Sequence, residues 1–259
     1  MTPAAPDTSA EAVAAQAEVI DILRDLIRID TTNDGTDSGP GEAAAAEYVE
    51  ASLAEAGLEV ERFSTTSSRR QGVVARIAGS DPTRPRLLLH GHLDVVPARA
   101  SHWSVPPFAA EVLDGMVWGR GAVDMKDMDA MLIALARAWS RSGQRPSRDL
   151  VFLFIPDEEA GGQHGSHWIV DHRPDILDGV SEGVSEVGGF SLTLPDDRRL
   201  YLIQTAEKGI AWMRLIAEGT AGHGSALTGD NAVTEVAAAV TRIGQHRWPV
   251  KLSPTARHM

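Results

Sequence analysis

Cysteine is absent from this chain, which excludes a disulfide framework, a thiol nucleophile and thiolate ligands for a metal. Any metal must therefore be held by histidine and carboxylate. Basic charge is also short: 24 Lys and Arg face 36 Asp and Glu, for a formal net charge of −12. With no Lys/Arg run to offset it, that balance argues against nucleic acid or an anionic membrane as a partner. No segment is apolar over the length a bilayer demands. The first residues, MTPAAPDTSAEAVAAQ, lack the basic and apolar regions of a secretory signal. These absences predict a soluble, cytoplasmic protein. Internal repeats are missing too, as are low-complexity tracts beyond Ala-rich helices.

What is present fits a layered fold. At 259 residues and 43% hydrophobic, the chain can bury a core of one large domain or one and a half. Val19, Ile22, Leu23 and Leu26 recur at helical spacing, predicting an amphipathic helix over Ser9–Ile29 with a Thr8–Glu11 capping box. The stretch TTNDGTDSGPGE reads as a loop, and Glu42–Ala56 as a second helix stopped by Gly57. Strands are expected at LEVERF, GVVARIAG, RLLLHGH and DLVFLFIP, with an Ala/Met-rich helix from Asp127 to Trp139 before the last. Leu87–Leu89 and Val151–Ile155 are unbroken apolar runs, the mark of strands covered on both faces. The expected fold class is α/β, a mostly parallel mixed sheet flanked by helices. Near Tyr201 the pattern changes to two more polar strands and a helix over Asn231–Gly244. We therefore assign residues 1–204 to one larger domain and 205–259 to the start of a smaller α+β domain.

Three clusters fall at strand ends or in the turns beyond them, where ligands of open α/β sheets sit. They are His90-Gly-His92-Leu-Asp94, the Asp124 region of VWGRGAVDMKDMD, and Asp157-Glu158-Glu159 of FIPDEEAGG. Each alone has a bland reading: a surface turn, a helix cap, a solvated charge run. In combination they predict a metal site. In extended backbone His92 and Asp94 share a face, which suits a ligating imidazole and the carboxylate that orients it. Adjacent Glu158 and Glu159 point different ways, so one can bind metal while the other serves as a base. Asp124 has two oxygens with which to bridge two cations. Such a donor set suits Zn²⁺, with Mn²⁺ or Co²⁺ also fitting. GRGAVD lacks the third glycine of a dinucleotide turn and is discarded as one.

The ordered motifs HGHLDVVP, WGRGAVDMKD, PDEEAGG, SEVGGF and GTAGHGS resemble those of the co-catalytic zinc metallopeptidase and deacylase family. Aminoacylase, glutamate carboxypeptidase, acetylornithine deacetylase and succinyl-diaminopimelate desuccinylase belong to it. The resemblance spans nearly the whole chain. It implies His92 as a metal ligand oriented by Asp94, Asp124 as the bridging ligand followed by a cis peptide bond, and Glu159 as the ligand of a second metal. Glu186 is implied to join His92 on the first metal, with Glu182 as the alternative. Glu158 is implied as general base, and His223 as a donor to the oxyanion that reaches an active site from the smaller domain, often the partner subunit's. His90 reads as structural; His102, His164, His167, His172 and His246 read as surface or satisfied residues.

The resemblance also implies that residues 1–204 are a catalytic metal-binding domain and 205–259 the beginning of a lid or dimerisation domain. It implies further that relatives continue through that domain and return to the catalytic one, where a late His completes the second site. That His is not found before Met259, and His258 matches no motif, so the chain reads as C-terminally truncated. The function implied is zinc-dependent cleavage of an amide bond in a dipeptide, a peptide C-terminus or an N-acyl amino acid, with two Zn²⁺ per complete site and a homodimer formed through the lid. Two alternatives stand beside it: a deacylase or carbamoyl hydrolase of a small metabolite, and a catalytically silent metal-binding or dimerisation module.

Overall fold

The computed structural model describes residues 10–36, 38–186, 191–201, 209, 211, 213–225 and 229–258. Its chain divides into two compact units, Met1–Val187 and Gly188–Met259. Thr8, and with it the capping box, lies outside the described residues, as do Val187–Phe190 of SEVGGF.

The first unit is organised around the apolar run Leu150–Ile155, strand β6 in chain order, every residue of which is buried. Alternate side chains face opposite ways, so Phe152 and Phe154 join one core while Val151, Leu153 and Ile155 join another. Around it lie β1 (Val60–Ser64), β2 (Gln71–Ile77), β3 (Arg86–His92) and β7 (Val180–Val184) in the order β1-β2-β6-β3-β7. The β1–β2 and β2–β6 pairs are antiparallel, whereas β6–β3 and β3–β7 are parallel. The parallel half brings the carboxyl ends of β3, β6 and β7 to one edge. A separate hairpin, β4 (Glu111–Leu113) with β5 (Met116–Trp118), interrupts the connection after β3.

Helices α1 (Ala10–Arg28), α2 (Ala43–Glu55) and α3 (Lys126–Ser142) supply Leu26, Ile27, Val49, Leu53 and Ile133 to the Phe152 face. On the opposite face, α4 (Ser166–His172) contributes Ile169. Gly143 ends α3 with φ 68°, the left-handed conformation that closes a helix and that glycine adopts without a Cβ clash. Arg137 of α3 ties the helical layer together, donating to Glu18 of α1 at 2.7 Å, to Glu55 of α2 at 3.0 Å and to the Ser52 carbonyl.

The second unit contains the hairpin β8 (Ser191–Thr193) and β9 (Arg199–Tyr201), then α5 (Ala232–Gln245) and α6 (Pro254–His258). Asn231 caps α5 by accepting from the Val233 and Thr234 amides. The two strands expected from Tyr201 to Gly222 lie partly outside the described residues. Tyr201 closes β9, residues 202–208, 210 and 212 lie outside the described set, and 213–222 are not in strands. Among the described residues no helix is long and apolar enough to cross a membrane.

One contact sets where the site begins. Lys126, fully buried at the start of α3, donates its Nζ to the carbonyls of Leu26 and Ile29 at 2.9 and 2.8 Å. The Leu26 carbonyl also accepts from the Ile29 amide at 3.1 Å, whereas the Ile29 carbonyl lies past the end of α1 and takes its hydrogen bond from Lys126. Lys126→Met keeps the apolar stem but takes a donor from both carbonyls and strands that of Ile29, and should cost about 1–3 kcal/mol of unfolding free energy. Urea unfolding of the two proteins measures it; an unchanged midpoint and slope would show that the carbonyls find other donors.

Candidate metal centre

At the end of β3 the imidazole of His92 is buried, and its Nδ1 lies 2.9 Å from the main-chain carbonyl oxygen of Asp94. A carbonyl can only accept, so Nδ1 carries the proton that donates and Nε2 is left to face the site. Around Nε2 gather Asp124 Oδ1 at 3.1 Å, Glu158 Oε2 at 3.7 Å and Glu186 Oε2 at 3.8 Å. One donor atom from each of His92, Asp124 and Glu186 lies within 4.8 Å of the other two, close enough to share one divalent ion. The imidazole is buried while the three carboxylates are partly open to solvent. The cluster thus has a rigid floor and an accessible mouth.

Each donor arrives from a different element. His92 closes β3, Asp124 stands in the turn before α3, Glu158 and Glu159 follow β6, and Glu186 follows β7. The Asp124–Met125 peptide bond is cis, as the resemblance implied. Glu182, the alternative to Glu186, sits on β7 and pairs with Arg148 at 2.5 Å, so the carboxylate beside His92 is that of Glu186. Glu159 stands outside the three-residue cluster. Burial, then the charge of Asp124, raises its carboxyl to about 7.

Asp94 does more than orient a ring. Its carboxylate is 3.5 Å from His92 Nδ1, farther than its own carbonyl. The two carboxylate oxygens accept instead from the main-chain amides of Glu158 and Glu159, at 3.0 and 3.1 Å. One buried anion therefore holds the turn that presents both glutamates. Burial works to raise the Asp94 pKa, but hydrogen bonds with His92, Asn33 and the Glu158 amide hold it below the usual range. The turn itself needs unusual backbone: Asp157 has φ 66°, and the next bend is closed by Gly162, φ 70°, whose amide donates to the Asp157 carbonyl. Asx residues are among the few that tolerate that region without being glycine.

Several functional groups escaped the sequence reading. Asn33, Glu42, Arg70, Asp129 and Asp157 are all buried near these loops; only Asp129 and Asp157 lie within nominated motifs, and neither has a role in that reading. Asp129 explains the glycine in His-Gly-His. A Cβ on Gly91 would lie 2.2 Å from Asp129 Oδ1 and 3.1 Å from the Met125 methyl. Neither oxygen of Asp129 has a hydrogen-bond partner among the described residues, and burial raises its carboxyl well above the usual range.

Elsewhere, His90 meets the Ser185 hydroxyl at 3.3 Å and His164 the Thr66 hydroxyl at 3.0 Å. His172 stacks on Trp168 and His246 lies edge-on to Trp248. His223, in the second unit, is exposed and lies 2.8 Å from the Ser225 hydroxyl through Nδ1.

An α/β unit whose parallel strand ends converge one imidazole and several carboxylates has a donor set that fits a divalent ion. Comparison with known proteins makes the assignment specific. The profile of Peptidase family M20/M25/M40 matches residues 88–253, and the chain belongs to that family. Aminoacylase-1 of Sus scrofa is 29% identical over 220 residues, covering 84% of this chain and 51% of that protein. The N-fatty-acyl-amino acid synthase/hydrolase PM20D1 of Xenopus tropicalis is 30% identical over 188 residues, 67% of this chain and 34% of that protein. This chain thus spans about half the length of the aminoacylases it matches, and less of the other. The fold is shared with an M20 family metallo-carboxypeptidase of Sulfolobus solfataricus (TM-score 0.58, 20% identity, 70% of this chain and 39% of that one). Human carnosine dipeptidase 1 is similar to the same degree (TM-score 0.56, 23%, 66% and 38%).

Two outcomes follow from the geometry. Gly91→Ala should lose about 1–3 kcal/mol through overpacking, and adding Asp129→Ala should restore most of it; failure of that rescue in thermal melts would disconnect the two residues. Burial works to lower the His92 pKa, but hydrogen bonds to Asp124 and Asp94, with the Asp94 charge, raise it to about 11. A metal must then displace that proton, so Co²⁺ uptake at pH 7 should release at least about one proton per ion, and affinity should fall as pH falls. An indicator dye in weak buffer reads the release; binding without it would remove His92 from the ligand set.

Proposed function

We propose that this chain carries the metal-binding half of a hydrolase that cleaves the amide bond of N-acyl amino acids, with short peptides as the second substrate class. The observation that carries the reading is the meeting of His92, Asp124 and Glu186 around one point, with the Glu158 carboxylate 3.7 Å from His92 Nε2. The order of preference between substrates rests on the relatives matched in sequence, aminoacylase-1 and PM20D1, whose names specify acylated amino acids.

The donor set of one imidazole and two carboxylates, with no thiolate, fits Zn²⁺, and Co²⁺ or Mn²⁺ with it. His92, Asp124 and Glu186 would hold the first ion, and Asp124 with Glu159 would offer oxygens to a second. A divalent ion there supplies Lewis acidity, lowering the pKa of water toward about 7 and polarising an amide carbonyl. The chain's own groups do the rest. Glu158 is half-exposed at the mouth of the site, where it takes the proton of the attacking water and returns it to the leaving nitrogen. Asp94 keeps Glu158 within reach by gripping the amides behind it. The likeness of GTAGHGS to the family motif supports His223 as a donor to a substrate carbonyl oxygen as negative charge develops on it, in the site of a partner subunit.

Incubation with Zn²⁺ or Co²⁺ and a panel of acetyl-amino acids, dipeptides and succinylated amines tests this directly. Turnover of the first group, a drop of about 10²–10⁴-fold in Glu158→Ala, and unchanged metal content in that variant are expected. Equal loss of metal and activity would mean that Glu158 is a ligand and Glu159 the base. Two bound metals without turnover of any substrate would favour a catalytically silent metal-binding module.

A further inference from the structure

The loop TTNDGTDSGPGE has no place in the chemistry above, yet its third residue stands at the centre of the buried polar structure behind the site. Asn33 is 3% exposed. Its main-chain amide donates to the Val95 carbonyl at 2.8 Å, and the Val95 amide donates to the Thr31 carbonyl at 3.2 Å. These bonds lay the segment beside Leu93–Val95. The Thr31 hydroxyl adds a third tie, donating to the Leu93 carbonyl at 2.6 Å.

The side chain then spans two loops. Its Nδ2 donates one hydrogen to Asp94 Oδ2 at 2.8 Å and the other to Asp157 Oδ1 at 3.0 Å. Its Oδ1 accepts from Arg70 at 3.1 Å and from the Gly35 amide at 3.1 Å. The orientation is unique, because the reverse would set an NH₂ group against a guanidinium and a carbonyl against two carboxylates. Arg70, itself buried, is anchored by Glu42 at 2.6 Å and stands 3.7 Å from Asp157. The other oxygen of Asp157 accepts from the His164 amide at 2.7 Å, so Asp157 links the chain beyond the PDEEAGG turn to the Asn33 amide.

We propose that Asn33 is a positioning residue for the reaction: its side-chain amide braces Asp94 against Asp157 and so fixes the turn that presents Glu158 and Glu159. The inference rests on the hydrolase reading for its consequence in catalysis, but not for the brace itself. Asn33 acts through Asp94, whose two oxygens hold the Glu158 and Glu159 amides. Aspartate cannot replace it, since a third carboxylate would then meet two others and both donors would be lost.

The test uses this chain with Asn33→Ala and Asn33→Asp, and with Asn33→Ser should either variant fold poorly. In metal-free protein, hydrogen exchange at the Glu158 and Glu159 amides should accelerate at least tenfold while Phe152 and Phe154 of β6 keep their protection. Co²⁺ affinity, followed by visible absorption, should weaken by about 10–100-fold, most in Asn33→Asp. In an Asp94→Asn background, Asn33→Ala should add little, whereas a packing role would add in full. Loop and β6 amides accelerating together, with Co²⁺ affinity unchanged, would overturn the proposal and leave Asn33 a packing residue. If the unaltered chain takes up no Co²⁺, the metal-site reading fails instead, and amide exchange alone still decides whether Asn33 holds the turn.

Discussion

The site depends on one buried carboxylate. Asp94 is fully excluded from water, a placement that is unfavourable for a charge unless donors surround it. Here they do: two main-chain amides from the Glu158–Glu159 turn, the Asn33 amide and the nearby His92 ring. Because those donors come from three separate segments, satisfying the charge forces the segments together. The energetic requirement of the anion and the geometry of the cluster are the same requirement.

This explains why carboxylates can sit side by side at the mouth. Asp124, Glu158 and Glu186 repel one another, and burial with the charge of Asp124 pushes the Glu186 carboxyl up. What keeps them in place is structure beneath: the strand ends of β3, β6 and β7, the Lys126 contact that fixes the start of α3, and the Arg70–Glu42 pair behind Asn33. In the metal-free state the protonated His92 serves as the counter-charge. A divalent ion takes over that role more effectively, which is why binding and proton loss are coupled. Preorganisation by the fold leaves the ion little rearrangement to impose.

Much of this was legible beforehand, for identifiable reasons. The unbroken apolar runs of β3 and β6 were read as strands covered on both faces, and β6 is buried throughout. The helix expected over Asp127–Trp139 appears as Lys126–Ser142, and the one over Asn231–Gly244 as Ala232–Gln245, because helical periodicity and caps are local. The compact units divide after Val187, ahead of the boundary after residue 204 expected from the change of character near Tyr201. The β8–β9 hairpin was not anticipated, since its strands are only three residues each and carry no usable period. Glu186 and Glu182 could not be separated by spacing. The Arg148 side chain, which engages Glu182, separates them.

The sequence by itself determined which residues stand at strand ends, since alternation and apolar runs are properties of neighbours along the chain. From that came the α/β class and the nomination of His92, Asp94, Asp124, Glu158 and Glu159; Glu186 was implied only by the family resemblance of SEVGGF. Tertiary structure alone decided what those groups do to one another. Asn33 meets Asp94 across 61 positions and Asp157 across 124, and no local pattern encodes a donor that must reach two acids at once. Gly91 was likewise uninterpretable until Asp129 was seen occupying the space its side chain would need. Hydrogen bonds and excluded volume act through space, so only the folded chain reveals which polar groups satisfy a buried charge.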